Sequence, residues 1–151
     1  MSNLRLLLLF LILTLGGGMV IGLTNTPGEW YQALAKPPFN PPDWVFGPAW
    51  TILYILVAIA GARTFARGGA ASAPMVAWWI QLALNFAWTP VFFTLQRPDL
   101  ALPVIAPFFL AILVFIALSW RRDRLSAILF VPYLAWVGLA SVLNFEIWRL
   151  N

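Results

Sequence analysis

Phe46, Trp50 and Tyr54 stand four residues apart where a helix should begin, so their rings share one face. Gln81, Asn85, Trp88 and Thr89 form a second such face, and Tyr133, Trp136 and Ala140 with Leu143 or Asn144 form a third. Aromatic rings interspersed with one or two amides suit the binding of a flat, largely apolar molecule. They do not suit acid–base catalysis, because no pair of carboxylates is placed beside them. The chain has no His and no Cys. That excludes disulfides, thiol chemistry, ligation of haem by either residue, the usual zinc sites, and Ser–His or Cys–His catalysis. These residues therefore read as a binding site with no metal and no obligatory cofactor. Trp50, Trp88 and Trp136 read equally as pocket walls or as packing in a core. Trp30, Trp44, Trp78, Trp79, Trp120 and Trp148 lie near the ends of apolar runs, where an indole anchors a helix in the headgroup layer.

The elements that must hold these faces are legible from charge. Of 151 residues, 62% are hydrophobic and only 9% charged, with a mean hydropathy of +0.88, where a soluble domain carries about a quarter charged residues. Five windows contain no charge at all: Leu6–Gly28, Trp44–Ala62, Gly68–Gln96, Leu100–Trp120 and Leu125–Phe145. Each reaches or approaches the ~20 apolar residues that a membrane-spanning helix needs. A charge at the bilayer centre costs about 2.5–3.5 kcal/mol, so such windows mark spans. The expected fold is all-α: one integral membrane domain over residues 1–151, a bundle of five transmembrane helices. The spans fall at roughly 4–23, 44–66, 75–95, 100–120 and 125–148. Arg5 followed by an apolar run could open a signal peptide, but no small-residue cleavage site follows, and a retained span is expected.

Between the first two spans, residues 24–43 form the longest connection. It holds Trp30, Tyr31, Lys36 and the pairs Pro37-Pro38 and Pro41-Pro42. Proline fixes the backbone and stops helix growth, so this segment reads as a stiff aromatic lid beside a pocket. Asp43 is the expected N-cap of the next helix. Gly16, Gly17 and Gly18 should let a neighbouring helix approach closely, and Pro90 should bend the third span. Ala83 and Ala87 make a small-xxx-small pair that favours a homodimer through that span. Glu146 and Arg149 should pair at the end of the last span. Arg5, Arg63, Arg67, Arg121, Arg122 and Arg124 fall at one end of the bundle, and Lys36, Arg97 and Arg149 at the other. By the positive-inside rule the N-terminus is expected in the cytoplasm, with the lid on the far side. The net charge of +4 reads as this topology signal rather than as a nucleic-acid footprint.

Several runs together resemble one known family. They are Trp30-Tyr31 with Leu34, Lys36-Pro37 and Pro41-Pro42; Trp44 through Trp50; Gln81 through Trp88 with Pro90 and Phe92-Phe93; Pro132 through Trp136; and Leu143-Asn144-Phe145 with Trp148-Arg149. They span nearly the whole chain, and they resemble the translocator protein family, also called tryptophan-rich sensory proteins or peripheral-type benzodiazepine receptors. The resemblance implies a five-helix bundle whose first loop folds over a pocket. It implies binding of porphyrins such as protoporphyrin IX, of sterols, and of benzodiazepine-site ligands. Family pocket positions fall here on Tyr31, Pro41, Trp50, Asn85, Trp136 and Ala140. Trp50 and Trp136 match tryptophans linked to light-dependent porphyrin breakdown. The resemblance also implies a dimer, frequently through helix three. Its sterol motif is degenerate here, with Leu143 and Arg149 present but Phe145 where a tyrosine is expected, and such motifs are weak patterns even when complete.

Joining the residue pattern to the resemblance gives a candidate ligand site of Tyr31, Pro41, Phe46, Trp50, Tyr54, Asn85, Trp88, Trp136, Ala140 and Leu143. The expected role is a membrane receptor or sensor for a tetrapyrrole, with Lys36 or an interfacial arginine meeting its propionates. The alternatives are photo-oxidative porphyrin degradation and porphyrin or sterol transport. The chain shows no inverted repeat or broken-helix pair of the secondary-transporter kind.

Overall fold

Charge sets the limits of the helices. A computed structural model describes residues 2–151. Among the described residues there is no strand, and the helices are α1 (Asn3–Thr24), α2 (Glu29–Ala33), α3 (Asp43–Gly68), α4 (Ala73–Thr94), α5 (Pro98–Ser119) and α6 (Arg124–Leu150). All but α2 are long and apolar enough to cross a membrane. Arg67, Arg97, Asp123 and Arg149 lie within a few residues of helix ends. Pro74 and Pro98 fall in the first turns of α4 and α5, where a missing N–H leaves nothing unpaired. Asp43, expected as an N-cap, is instead the first residue of α3, and Pro42 holds the cap position. Its carboxylate favours the helix N-terminus and accepts a hydrogen bond from Gln32 Nε2 at 3.0 Å.

The spans form a closed ring. α3 packs between α1 and α6, α6 lies along α5, and α5 along α4; α4 returns to α3 and to α1. A band of large apolar side chains, among them Leu8, Ile12, Ile52, Ile80, Leu110 and Val142, faces outward around this ring. A soluble protein does not leave so broad an apolar belt in water, and hydrocarbon covers it at no cost. The protein is therefore a multi-pass integral membrane protein. In such a setting each backbone polar group must find its partner inside the protein.

Two widened, π-type turns interrupt this regularity. One, Ile12–Gly16 in α1, turns Thr14 into the bundle, and its hydroxyl donates to the Tyr54 carbonyl of α3 at 2.9 Å. The other, Pro90–Thr94, follows from Pro90, which has no N–H for the regular ladder. Of the three successive glycines, Gly17 and Gly18 are the ones at which helices meet. A Cβ at Gly17 would fall 2.6 Å from the Phe86 ring, and one at Gly18 would overlap the Tyr54 ring. Gly16 faces open space.

Trp78 departs from its expected role as an interfacial anchor. It is fully buried. Its indole N–H donates to the Val57 carbonyl at 3.0 Å, and its ring meets Phe10 edge-on at 4.9 Å. A buried indole with a satisfied N–H is a core residue. Trp44 is 75% exposed, as an anchor should be. At the arginine-rich end, Asp123 receives Arg63 in a two-pronged pair at 2.9 and 3.0 Å and Ser126 Oγ at 2.6 Å. The Arg63 hydrogen bonds hold its carboxyl at about 2, below the usual carboxylate range.

Gly61 of α3 faces both α1 and α4 at close range: a Cβ there would lie 2.5 Å from the Trp78 ring and 2.8 Å from Phe10. Gly61→Ala should therefore cost about 1–3 kcal/mol through overpacking. Gly22→Ala, where a Cβ meets nothing within 4 Å, should be neutral or stabilise by up to about 1 kcal/mol through helix propensity. Thermal unfolding in detergent compares the two; equal midpoints would remove the close-approach account.

Candidate ligand-binding site under the first loop

A line of polar side chains crosses the bundle between α3, α4 and α6. The Tyr54 hydroxyl donates to Asn85 Oδ1 at 2.9 Å, and Asn85 Nδ2 donates to the Tyr133 hydroxyl at 2.7 Å. The Tyr133 hydroxyl then donates to Gln81 Oε1 at 2.6 Å. Gln81, Asn85 and Tyr133 are buried. With no water in the hydrocarbon region, these groups must satisfy one another, and they do so except at Gln81 Nε2, which is buried without a partner. The line fixes the rotation of three helices, and one helical turn nearer the lid each of them carries a tryptophan: Trp50 on α3, Trp88 on α4 and Trp136 on α6.

These rings form two aromatic walls. On the first, Trp50 stacks on Tyr54 at 5.6 Å between centroids and meets Trp136 edge-on at 6.3 Å; Phe46 meets Trp136 edge-on at 5.7 Å. On the second, Trp88 packs on Phe92 at 5.2 Å, and its indole N–H donates to Asn144 Oδ1 at 2.9 Å. Asn144 Nδ2 continues to the Pro98 carbonyl at 2.9 Å, tying α6 to the start of α5. The Trp136 indole N–H is buried and has no partner, and the same is true of Asn40 Oδ1 in the lid. One donor and one acceptor thus remain unspent beside the walls.

The lid closes over this arrangement. Tyr31 of α2 is buried against Phe92 and Phe93, with ring centroids 6.5 and 5.4 Å away. Lys36 folds back on the lid itself: its ammonium donates to the Tyr31 carbonyl at 2.5 Å and lies 4.4 Å above the Tyr31 ring. The far side of the lid is held by Asn151. Its Oδ1 accepts from the Ala35 N–H at 3.1 Å and its Nδ2 donates to the Ala35 carbonyl at 2.9 Å. That reciprocal pair copies the hydrogen bonding of two adjacent strands. Asn25 and Thr94 join the first residues after α1 to the end of α4 through their side chains. Beneath the lid lies a cavity of about 40 Å³ lined by Tyr31, Asn40, Phe46, Trp88, Ala140 and Leu143 among others.

The family assignment follows from comparison with known proteins. The model of the TspO/MBR family matches residues 8–149. The chain belongs to the TspO/MBR family. A tryptophan-rich sensory protein from Cereibacter sphaeroides is 41% identical over 136 residues, covering 90% of this chain and 85% of that protein. The tryptophan-rich protein TspO of Chlorobaculum tepidum is 37% identical over 153 residues, covering 95% and 97%. The human translocator protein is 33% identical over 141 residues, covering 89% and 83%.

Among TspO/MBR features expected from the sequence, Tyr31, Phe46, Trp88, Ala140 and Leu143 line the cavity itself. Trp50, Tyr54 and Trp136 form the adjoining wall, and Asn85 lies in the polar line beneath it. Pro41 is half-buried in the lid, and its carbonyl accepts from Asn40 Nδ2 at 3.3 Å. Asn40, Phe92, Phe93 and Ile147 also line the cavity. Of these, the pair Phe92-Phe93 is visible in the resemblance, while Asn40 and Ile147 carry no signal in spacing. The three sterol-motif residues do not share a face. Leu143 is buried; Phe145 is 44% exposed and packs on Trp148; Arg149 pairs with Glu146 at 2.6 Å.

Asn151→Ala should loosen the lid without disturbing the bundle. Losing a hydrogen-bond pair worth about 1 kcal/mol should speed amide exchange at Ala35 roughly five- to tenfold. Hydrogen-exchange mass spectrometry of the lid, with an α5 peptide as reference, reads the effect, and unchanged lid exchange would show that the lid is held elsewhere.

Proposed function

We propose that this protein is a membrane receptor or sensor that binds a tetrapyrrole such as protoporphyrin IX beneath the lid. The observation that carries the reading is the wall of Phe46, Trp50 and Trp136, with the unpartnered Trp136 N–H beside it. Flat aromatic faces stack a macrocycle, and a spare donor can meet one of its polar groups. The names of the sphaeroides and human relatives, sensory protein and translocator protein, support a role in sensing or moving a small molecule. A cavity of about 40 Å³ is far below the roughly 300–1,000 Å³ of an occupied ligand pocket. Binding therefore goes with lifting of the lid, which frees Lys36 from the Tyr31 carbonyl and makes its ammonium available to a propionate. With the N-terminus in the cytoplasm, as the arginine distribution favours, the lid opens on the opposite side.

Trp136→Ala should weaken protoporphyrin IX binding about tenfold, the loss of one stacked ring, while the helical circular dichroism stays the same. Tryptophan-quenching titrations in detergent measure this, and overlapping curves for mutant and wild type would remove the wall from the site. The edge-on pair of Trp50 and Trp136 favours a second reading, in which an indole serves as redox partner in light-driven oxidation of the bound ring. Illumination with and without oxygen distinguishes the two: decay of the porphyrin spectrum at the rate of free porphyrin would leave binding alone. Sterol binding has weaker support, because Leu143 points inward while Phe145 and Arg149 point outward.

A homodimer through α4 is also proposed. Ala83 and Ala87 are exposed on the same stripe as Val76 and Ile80, and small residues there let two helices approach closely. Ala83→Leu with Ala87→Leu should convert dimer to monomer in cross-linking and sedimentation; a persistent dimer would move the interface off α4.

A further inference from the structure

At the opposite end from the lid, a groove of about 550 Å³ is lined by residues of α1 and α3. Leu7, Ile59, Ala62 and Ala66 give it an apolar floor, and its polar lining is Asn3, Arg63 and Arg67. Asp123 satisfies only part of that lining. It takes Nε and Nη2 of Arg63, and lies 3.5 Å from Nε of Arg67. Nη1 of Arg67 reaches the Arg122 carbonyl at 3.3 Å, and the side chain remains 58% exposed. Nη1 of Arg63 and Nη2 of Arg67 therefore still have donors to give. The wider surroundings add to the imbalance. Arg5, Arg121, Arg122 and Arg124 occupy the same end, and among the described residues Asp123 is its one carboxylate.

An apolar trough ending in two guanidiniums, set where the bundle meets the headgroup layer, matches a molecule with an anionic head and a hydrocarbon tail. Guanidinium groups hold phosphate oxygens through paired hydrogen bonds, and basic pockets between transmembrane helices take acidic headgroups. We propose that this groove binds one anionic phospholipid. Its phosphodiester sits on Arg67 and the free edge of Arg63, and one acyl chain lies along Leu7 and Ile59. Asp123 is a positioning residue here: it aims Arg63 and, by neutralising one charge, keeps the two guanidiniums close together. The site is separate from the aromatic walls and stands whether or not these bind a tetrapyrrole.

Native mass spectrometry of the full chain tests the proposal, using phosphatidylglycerol and phosphatidylcholine with identical chains. One phosphatidylglycerol should be retained with about a five- to thirtyfold preference, the scale of one or two basic residues acting near a membrane surface. Arg67→Gln should bring the preference close to unity. Leu7→Trp, which fills the trough without changing charge, should do the same, while Arg121→Gln, outside the groove, should leave it intact. A preference that survives Arg67→Gln would overturn the proposal. So would an equal loss in Arg121→Gln, which would mean diffuse attraction to the surface. Displacement of the lipid by millimolar inorganic phosphate would also overturn it, because the tail would then contribute nothing.

Discussion

The polar line from Tyr54 through Asn85 and Tyr133 to Gln81 is the interaction on which the upper half of the bundle depends. In water each of these groups could trade its partner for solvent. In hydrocarbon it cannot, so helix rotations that break the line leave a buried amide or phenol unsatisfied. Each such interhelical bond is worth only about 0.6–1.7 kcal/mol, but together the three exclude the neighbouring registers of α3, α4 and α6. Trp50, Trp88 and Trp136 each lie one turn nearer the lid than a member of that line. The same bonds that fix helix register therefore aim the rings. Thr14 adds α1 to this arrangement by capping the carbonyl of Tyr54, and Gly18 lets α1 lie against the Tyr54 ring.

The five spans were legible because hydrocarbon tolerates so few charges: the uncharged windows could be little else. The aromatic faces were legible because a helix repeats every 3.6 residues, so Phe46, Trp50 and Tyr54 had to share a side. What spacing cannot carry is contact across distant positions. Asn151 holds Ala35 from 116 positions away, and Asn40 reaches the cavity only because the proline-rich strap turns back over it. Trp78 shows the limit from the other direction. Position near a span end made it look like an anchor, but Gly61 opposite it left room for a whole indole in the core. An absent side chain on one helix decided the environment of a large one on another, and periodicity within a single helix has no access to that.

The lid is closed by interactions of modest individual strength. The Asn151–Ala35 pair, the Gln32–Asp43 bond and the Lys36 contact are all near the surface, where water competes and the net gain of a hydrogen bond is about 1 kcal/mol. Burial of Tyr31 against Phe92 and Phe93 is the apolar part of the closure. The polar line below it is out of reach of water and has no such competition. A weakly closed cover on a rigidly registered floor is what a site needs if a large flat molecule is to enter without unfolding the helices that receive it. The proline pairs fit this division. They stiffen the strap, so that it has little backbone entropy to lose in the closed position.

The distribution of charge separates the two ends of the bundle further. Around the lid, Lys36, Arg97 and Arg149 face Glu29, Asp43, Asp99 and Glu146, and two of the bases are paired at 2.6–2.7 Å. This end carries three bases against four acids, and its remaining cation, Lys36, is folded onto lid carbonyls, so no free cation stands beside the aromatic walls. At the other end six arginines share one aspartate. An ion pair confined to the helix ends adds little stability, and an arginine excess of this kind is the charge asymmetry that the positive-inside rule reads.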